Sequence, residues 1–331
     1  MSAACAGSMG GGPLTAHWLR FTVRAETDIH FHMFKGSALR GALAGSLRRQ
    51  YCPEWRNGAP DPLHRQLCPV CQLLGWEHRD IEGGDVRRPY SLIPPLDGAT
   101  RYEGGESFSF TLALLGNRLQ LLPYLVLGVT AMGEAGVGRS DRAGQRGRFC
   151  VTAVDAIHPL TGAHRSLMAS GAAKVRLETL PVTHEHVMAA ARELEDGARL
   201  RLCFQTPLRL NQESRLVKSP VFFPLIKQIA LRVLDLCAQH GAGRPDVRLK
   251  QALYPYADQV TLVDDRTAWW ELTGYSHRLG REQQLGGLLG EAVYAAPEWR
   301  PLLPWLIWGQ VVQVGKNTVK GCGVYTVARE D

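Results

Sequence analysis

Two histidines near the start of the chain have the residue type and spacing of an acid–base pair. His30 and His32 stand at i and i+2 in a short segment, Glu26 to Phe34, that precedes a predicted helix. Side chains at this spacing point the same way in an extended segment, so both imidazoles would face one partner. Because imidazole titrates near ~6.5, either ring can serve as base or acid at neutral pH. Lys35 follows closely enough to add positive charge, whereas the alternative is that the segment is simply polar surface.

Three cysteines lie close together in a second segment, residues 52–80. They are Cys52, Cys68 and Cys71, and the last two have the Cys-x-x-Cys spacing of paired zinc ligands. A closed structural zinc site needs four ligands, and the fourth would be His64, His78 or no residue at all. The sequence therefore leaves two alternatives open, a structural zinc site and a group of buried thiols.

A glycine- and lysine-rich segment, residues 309–327, joins a predicted helix (301–310) to a predicted closing strand (323–327). Its distinctive residues are Gly315, Lys316, Lys320, Gly321 and Gly323. The glycines would let backbone amides approach a partner closely and the lysines add positive charge, which predicts a site for a phosphate chain. The alternative is a plain turn before the last strand.

The elements that would position these residues follow one order in the first half of the chain. The pattern predicts strands at 17–25, 87–95, 106–114 and 148–156, and helices at 36–51 and 119–132. Ser37 is the predicted N-cap of the first helix. A loop rich in glycine and arginine, residues 133–147, precedes the closing strand. Strand, helix, strand, strand, helix, strand is the ferredoxin-like order.

The second half repeats this order after a polar connector, residues 157–196, that holds a short hairpin and a helix at 184–195. Strands are predicted at 199–207, 259–263, 269–278 and 284–294, with a helix at 221–239 that has Lys227 and Arg232 on its polar face. The predicted fold is therefore α+β, with two tandem ferredoxin-like (RRM-like) domains. The first spans 14–156 and contains the cysteine insertion 52–80, and the second spans 197–331.

Composition agrees with two domains and a polyanionic partner. A chain of 331 residues exceeds the ~100–200 typical of one domain. The net charge of +7 and pI of about 9.1 favour nucleic acid over membrane. The N-terminal stretch lacks the basic flank and apolar core of a signal peptide, and the longest apolar runs fall short of the ~18–20 residues of a membrane span. We therefore expect a cytoplasmic protein with reduced cysteines, in which a cysteine cluster indicates metal before disulfide.

Four segments, in this order and spacing, resemble the RAMP superfamily of CRISPR-associated proteins. They are Gly36-Ser-Ala-Leu-Arg-Gly with the cysteine insertion, Gly136 to Gly147, Gln205-Thr-Pro-Leu-Arg-Leu, and Gln284-Leu-Gly-Gly-Leu-Leu-Gly through Gly323. The last contains Gly-Lys-x-Thr-x-x-Gly-x-Gly-x-Tyr, which is most similar to the repeat-processing endoribonuclease of that superfamily. The resemblance implies cleavage of CRISPR precursor RNA within the repeat, without metal, by attack of a ribose 2′-OH. The products would carry a 2′,3′-cyclic phosphate and a 5′-OH, and the crRNA would stay bound.

The resemblance also implies where the site lies, although the family varies its catalytic residues. Similar enzymes often place a catalytic histidine before the first helix, which favours His32 and His30, with Lys35 stabilising the phosphorane. His277 is a rival acid or base, and an arginine-based site would use Arg40 and Arg278. The predicted RNA-binding residues are Arg40, Arg139, Arg142, Arg146, Lys218, Lys227, Arg278, Arg281, Gly315, Lys316, Lys320, Gly321 and Gly323, whose cations would position phosphates. Trp269, Trp270 and Tyr275 would stack bases or fill the core.

Two other classes of protein remain open on the sequence. One is a non-catalytic RAMP subunit that binds guide RNA in a CRISPR effector complex beside other subunits. The other is a zinc-dependent DNA-binding protein. Catalysis itself is expected to need no cofactor. Relatives with the cysteine insertion often have a fuller cysteine set than this chain.

Overall fold

The computed structural model describes residues 14–56, 61–74, 87–169, 175–213, 215–243, 245–246, 248–276 and 280–330. These residues form two compact units, an N-terminal unit of His17–Pro181 and a C-terminal unit of residues 14–16 and 182–330. No helix in this part of the chain has both the length and the apolar character needed to cross a bilayer.

The N-terminal unit contains nine strands and four α-helices among its described residues. In chain order they are β1 (Ala16–Ala25), β2 (Ile29–His30), α1 (Gly36–Tyr51), α2 (Pro62–Leu67), α3 (Pro69–Leu74), β3 (Tyr90–Ile93), β4 (Arg101–Tyr102), β5 (Ser107–Leu115), α4 (Leu122–Ala135), β6 (Val137–Ser140), β7 (Arg146–Gly147), β8 (Phe149–Ile157) and β9 (His164–Met168). Short 3₁₀ turns cover Pro53–Arg56 and Leu119–Leu121.

Five of these strands make one sheet in the order β3-β5-β1-β8-β9. Strand β1 alternates buried apolar and more exposed residues, as the period-2 pattern predicts. Helices α1 and α4 pack on each other, and Gly128 of α4 allows their close approach because a Cβ there would lie 2.7 Å from Leu47 Cδ2. The rings of Phe21 and Phe110 stack at 5.6 Å between centroids. The result is an apolar core, Leu39 and Leu43 included, between helices and sheet.

The C-terminal unit has the following elements. They are α5 (His184–Leu194), β10 (Arg199–Leu208), β11 (Leu210–Gln212), β12 (Arg215–Val217), α6 (Phe222–His240), α7 (Arg248–Gln251), α8 (Tyr254–Ala257), β13 (Thr261–Trp270), β14 (Thr273–Ser276), β15 (Arg281–Gln284), β16 (Gly287–Ala295), α9 (Leu303–Val312) and β17 (Tyr325–Arg329). A 3₁₀ turn covers Thr318–Lys320.

Its sheet has the order β13-β16-β10-β17, and all three pairings are antiparallel. Helices α6 and α9 pack together and α5 packs on α9. The apolar residues of α9 are buried all round the helix, including the fully buried Trp308. Tyr325 of β17 is buried as well, and its hydroxyl donates to the Leu306 carbonyl at 2.6 Å. The last strand is therefore anchored to the last helix.

Several details differ from the sequence expectations. Helix α1 is preceded by Lys35, with no side-chain cap, so Ser37 is not the N-cap. The predicted break between strands 259–263 and 269–278 is wrong, because Thr261–Trp270 is one strand paired along β16, and Thr273–Ser276 forms a separate short strand. Arg232 is buried instead of facing solvent, because its guanidinium donates to the Val312 carbonyl at the end of α9. Such a contact satisfies a helix-terminal carbonyl that lacks an intrahelical donor.

The predicted connector, residues 157–196, is divided between the two units. Its first part forms β9, which pairs with β8 in the N-terminal sheet. Its second part forms α5, which packs on α9 in the C-terminal unit. The predicted loop 133–147 contains the two-stranded hairpin β6–β7.

Candidate functional site

The two histidines flank a buried phenylalanine in the segment that precedes helix α1. His30 and His32 are exposed, whereas Phe31 between them is 3% exposed. Phe31 packs edge-on against Tyr102 and Phe108, with ring centroids 6.1 Å apart in both pairs. The alternation of polar and apolar residues thus buries the phenyl ring and leaves both imidazoles exposed.

A cation that the sequence reasoning missed lies opposite His30. Strand β2 pairs with β4 so that His30 faces Arg101 across the ladder. Arg101 donates to Asp28 Oδ2 at 2.8 Å, and the Gly104 amide donates to Asp28 Oδ1 at 3.0 Å. These two bonds hold the pKa of the Asp28 carboxyl below its usual range. Only the pairing of β2 with β4 reveals Arg101, because about 70 residues separate the partners in sequence.

The hairpin β6–β7 lies directly against the histidine strand. A Cβ at Gly138 would stand 2.3 Å from the His30 carbonyl oxygen, and one at Gly147 would stand 2.3 Å from the Asp28 carbonyl oxygen. Gly138 also has a φ of +85°. Glycine is therefore required at both positions for this close approach. The Asp141 carboxylate shapes the tip by accepting from the Ala143 and Gln145 amides at 2.9 and 2.8 Å.

This contact brings two predicted groups together. Three predicted RNA-binding residues are exposed on the hairpin and near its tip, namely Arg139, Arg142 and Arg146. The hairpin therefore presents positive charge next to strand β2, which contains His30 and is followed by His32. Arg40 is half-buried on helix α1.

A polar cleft of about 540 Å³ separates helix α1 from the hairpin. Gly41 and Gly45, one turn apart on α1, keep one wall low because neither has a side chain. The charged residues that line it are Arg49, Glu134, Arg146 and Arg148. Three cations against one carboxylate give the cleft a positive balance suited to an anionic ligand.

Lys35 occupies a different environment from the one expected. Its side chain is 3% exposed, and its ammonium donates to Asp97 Oδ1 at 2.8 Å and to the Pro95 carbonyl at 3.3 Å. The Tyr102 hydroxyl also donates to Asp97, at 2.8 Å. Burial opposes ionisation of Asp97, but the bonds from Lys35 and Tyr102 outweigh it and lower the pKa of the carboxyl. Because the Lys35 ammonium is held in the interior, we remove it from the candidate catalytic group.

The glycine-rich segment of the C-terminal unit binds its own chain. The amides of Lys316 and Gly323 donate to the carbonyls of Arg209 and Pro207, both at 3.1 Å. Further amides that donate within the segment are those of Lys320, Gly321 and Cys322. Since these amides already have acceptors, the expectation that they cradle a phosphate is corrected.

The glycines of this segment are required for packing. Gly323 has a φ of +76°, and a Cβ there would stand 1.7 Å from the Val314 carbonyl oxygen. Gly315, with a φ of +85°, would meet the Arg209 carbonyl oxygen at 2.6 Å. Gly321 ends the 3₁₀ turn with a φ of +87°. Lys316 is exposed, whereas Lys320 is half-buried and donates to Gln283 Oε1 at 2.6 Å.

Arg209, another cation that the sequence reasoning did not select, lies beside this segment. Its guanidinium donates to the Gly286 carbonyl at 2.9 Å and lies 5.8 Å from the centroid of the half-buried Trp269 ring. Lys218 stands 5.2 Å from the same ring and 3.6 Å from Glu271. The signal for Arg209 was its place in Gln205-Thr-Pro-Leu-Arg-Leu. These residues form a cation–aromatic patch in the C-terminal unit.

The remaining predicted residues are more scattered or lie outside the described part of the chain. Lys227 is half-buried on α6 and Trp270 is half-buried at the end of β13. Arg281 begins β15, but its side chain and that of Tyr275 are not described. His78, His277 and Arg278 lie outside the described residues.

The cysteine insertion assembles four potential metal ligands. Cys52 follows α1, His64 lies in α2, Cys68 separates α2 from α3, and Cys71 lies in α3. Their ligand atoms are all within 4.8 Å of one another. Burial, followed by the neighbouring Cys68 and Cys52 thiols, raises the pKa of Cys71 to about 12. The structure therefore supplies His64 as the fourth member that the sequence left undecided.

Comparison with known families covers both units. A model described as the AF_1859_N N-terminal domain matches residues 14–180, and the model of the CRISPR-associated endoribonuclease Cas6 matches residues 202–325. Residues 14–180, about half of the chain, thus belong to the family of this N-terminal domain. Residues 202–325 match the family of CRISPR-associated Cas6 endoribonucleases. The family assignment made from the four sequence segments is thus confirmed.

Solved structures agree in fold at low sequence identity. The product complex of a Cas6 protein matches with a TM-score of 0.57 and 15% identity over 95% of this chain and 100% of that chain. Thermus thermophilus Cas6 matches with a TM-score of 0.53 and 15% identity over 96% and 100% of the two chains. A partial Cas6-RT-Cas1–Cas2 complex gives 0.58 and 14% over 97% of this chain and 47% of that one. No curated protein matches this chain by sequence.

Proposed function

We propose that this Cas6-family protein cuts CRISPR precursor RNA within the repeat by attack of a ribose 2′-OH on the adjacent phosphate. The products are a 2′,3′-cyclic phosphate and a 5′-OH, and the protein keeps the crRNA bound. One observation carries the proposal, namely that His30 and His32 are both exposed in a segment that lies against an arginine-bearing hairpin.

The proposed reaction needs three functions, and the N-terminal unit has residues for each. A base must take the 2′-OH proton and an acid must protonate the departing 5′-oxygen. His30 and His32 supply these two roles, because a neutral imidazole accepts a proton and an imidazolium donates one. The phosphorane that forms between the steps carries extra negative charge, which fixed cations stabilise. Arg101 and the arginines of the β6–β7 hairpin supply that charge, and no metal takes part.

Binding of the repeat relies on phosphate contacts and stacking. Arg139, Arg142 and Arg146 would hold phosphates and fix the register of the RNA without reading bases. The major groove of A-form RNA is too narrow for side chains, so selection of the repeat must rest on hairpin shape and splayed bases. In the C-terminal unit, Trp269 with Arg209 and Lys218 offers an aromatic ring and cations for one such base.

We also infer that each unit is a ferredoxin-like domain. The strand–helix–strand–strand–helix–strand order holds for β1-α1-β3-β5-α4-β8 and for β10-α6-β13-β16-α9-β17. In both sheets the four main strands have the same spatial order, second-third-first-fourth. The cysteine-containing segment is an insertion between α1 and β3 of the first domain.

The test is cleavage of a repeat transcript in EDTA by the intact protein and by His30→Ala, His32→Ala and the double variant. General acid–base catalysis contributes about 10²–10⁴-fold, so each single variant should lose a rate factor in that range. His164→Ala is the matched control, because His164 is an exposed histidine of the same unit that lies on β9. RNA affinity, measured separately, should change little in all variants.

Two outcomes would contradict the proposal. If the double variant cuts at the rate of the His164→Ala control, the histidines are not the acid and base. If the intact protein binds the transcript without cutting it, a non-catalytic RNA-binding subunit of an effector complex becomes the better description. The exposed hairpin arginines support binding in either case, so affinity alone cannot separate the two functions.

A further inference from the structure

The cluster of Cys52, His64, Cys68 and Cys71 has no part in the proposed reaction, and the structure assigns it as a structural zinc site. Three thiol sulfurs and one imidazole nitrogen form the Cys₃His ligand set of closed zinc sites. All four ligand atoms lie within 4.8 Å of one another. Cys52, Cys68 and Cys71 are 0%, 8% and 3% exposed, so the three thiols lie in the interior.

The distances between ligand atoms match those that a zinc ion would impose. Tetrahedral Zn–S bonds of ~2.3 Å place two sulfurs ~3.8 Å apart, and an imidazole nitrogen at ~2.0 Å lies ~3.5 Å from each sulfur. The Cys52 and Cys71 sulfurs are 3.8 Å apart, and Cys52 Sγ is 3.3 Å from His64 Nε2. A disulfide would need a sulfur–sulfur distance of ~2.05 Å. The contacts that Cys52 makes with Cys71 and His64 therefore have the lengths expected at a tetrahedral zinc site.

The surroundings orient the histidine for this role. His64 Nδ1 lies 2.8 Å from Glu54 Oε1, which directs Nε2 toward the Cys52 sulfur. A carboxylate bound to the outer nitrogen of a ligating histidine is the usual second partner at zinc sites. Asp61 in turn accepts from the His64 amide at 2.9 Å and caps α2. Both ring nitrogens and the backbone of His64 are thus positioned.

Zinc at this site would tie together the end of α1, α2 and α3. Cys52 is the C-cap of α1, and the other ligands follow within about twenty residues. The helices α2 and α3 have six residues each and would be marginal alone, because isolated helices need more than ~12 residues. The metal would therefore stabilise the insertion and the end of the helix that starts just after His32.

The experiment measures zinc directly and does not depend on RNA cleavage. The full chain, purified without chelator or metal, should contain about one zinc per chain by elemental analysis, as expected for one four-ligand site. Cobalt substitution should give the thiolate-to-cobalt charge-transfer absorption of a tetrahedral sulfur-rich site. His64→Ala and Cys71→Ser should lose both signals. Cys150→Ser, which changes a cysteine of the same unit outside the cluster, should keep them.

A gentler variant covers the case in which ligand variants fail to fold. Glu54→Gln retains all four ligands but weakens the bond to His64, so zinc affinity measured against a competing chelator should fall about 10–100-fold. The assignment is overturned if the intact protein contains no zinc, binds none on addition, and has all cluster thiols open to alkylation. It is also overturned if His64→Ala and Cys71→Ser bind as much zinc as Cys150→Ser.

Discussion

Replacement of Gly323 by alanine tests whether the glycine-rich segment serves packing or ligand binding. Gly323 has a φ of +76°, where a residue with a Cβ loses about 1–2 kcal/mol. The new Cβ would stand 1.7 Å from the Val314 carbonyl oxygen, so the segment must move. Two hydrogen bonds would then weaken, Gly323 N–H to Pro207 and Val314 N–H to Gly323, both 3.1 Å, at about 0.5–1.5 kcal/mol each. The free energy of unfolding of the C-terminal unit should therefore fall by roughly 2–5 kcal/mol.

The matched control is Gly280→Ala in the same unit. Gly280 also has a positive φ, +61°, but a Cβ there would have no atom within 4 Å. Gly280→Ala should lose only the free energy that a positive φ costs a residue with a Cβ, about 1–2 kcal/mol. Urea unfolding of both variants measures the difference, which we expect to be roughly 1–3 kcal/mol. Equal stabilities, together with a loss of RNA affinity only in Gly323→Ala, would refute the reasoning and return the segment to a ligand-binding role.

Two further predictions concern the N-terminal unit. Asp97→Asn should lower stability at neutral pH by about 1–2 kcal/mol, because it removes the charge paired with buried Lys35 while Asp97 itself is half-exposed. The pKa of Asp97 is lower in the folded than in the unfolded state. The extra stability of the intact protein over Asp97→Asn is therefore fully present above the usual carboxyl pKa. It disappears as the pH falls through the pKa of the folded state. Urea unfolding at pH 7 and below pH 4 checks this, and a pH-independent difference would contradict it. Alanine at all three hairpin arginines, Arg139, Arg142 and Arg146, should reduce the slope of log affinity against log salt by about 0.7 per lost phosphate contact. Arg165→Ala on β9 is the control, and an equal slope in both variants would argue against a phosphate-binding hairpin.

Sequence reasoning succeeded where local pattern and chemistry agree. The period-2 alternation of β1 and the helical period of α1 and α6 placed these elements within about two residues of their observed bounds. The alternation His30-Phe31-His32 agrees with the observed burial, in which Phe31 is buried and both histidines are exposed. The Cys-x-x-Cys spacing located the cysteine cluster because Cys68 and Cys71 belong to one local turn.

Long-range contacts decided what the sequence left open or misassigned. Lys35 next to two histidines is a reasonable catalytic cation until Asp97, some sixty residues away, binds its ammonium in the interior. Arg232 at a polar helical position is buried because α9 ends with a carbonyl that needs a donor. Asp97 and Val312 are too far along the chain from Lys35 and Arg232 for a short stretch of sequence to reveal them as partners. Charged side chains respond to whichever distant group the fold brings near, and that response dominates their burial.

The amino-acid sequence by itself determined the family, the order of the main strands and helices, and the residues capable of acid–base and metal chemistry, because these depend on residue type and short-range spacing. Only the tertiary structure decided which of those residues share a site. Pairing of β2 with β4 placed Arg101 opposite His30, close backbone contact at Gly138 and Gly147 brought the hairpin to the histidines, and folding of α2 and α3 carried His64 to the three thiols. The physical reason is that such contacts are set by the packing of elements distant in sequence, which local propensity does not specify.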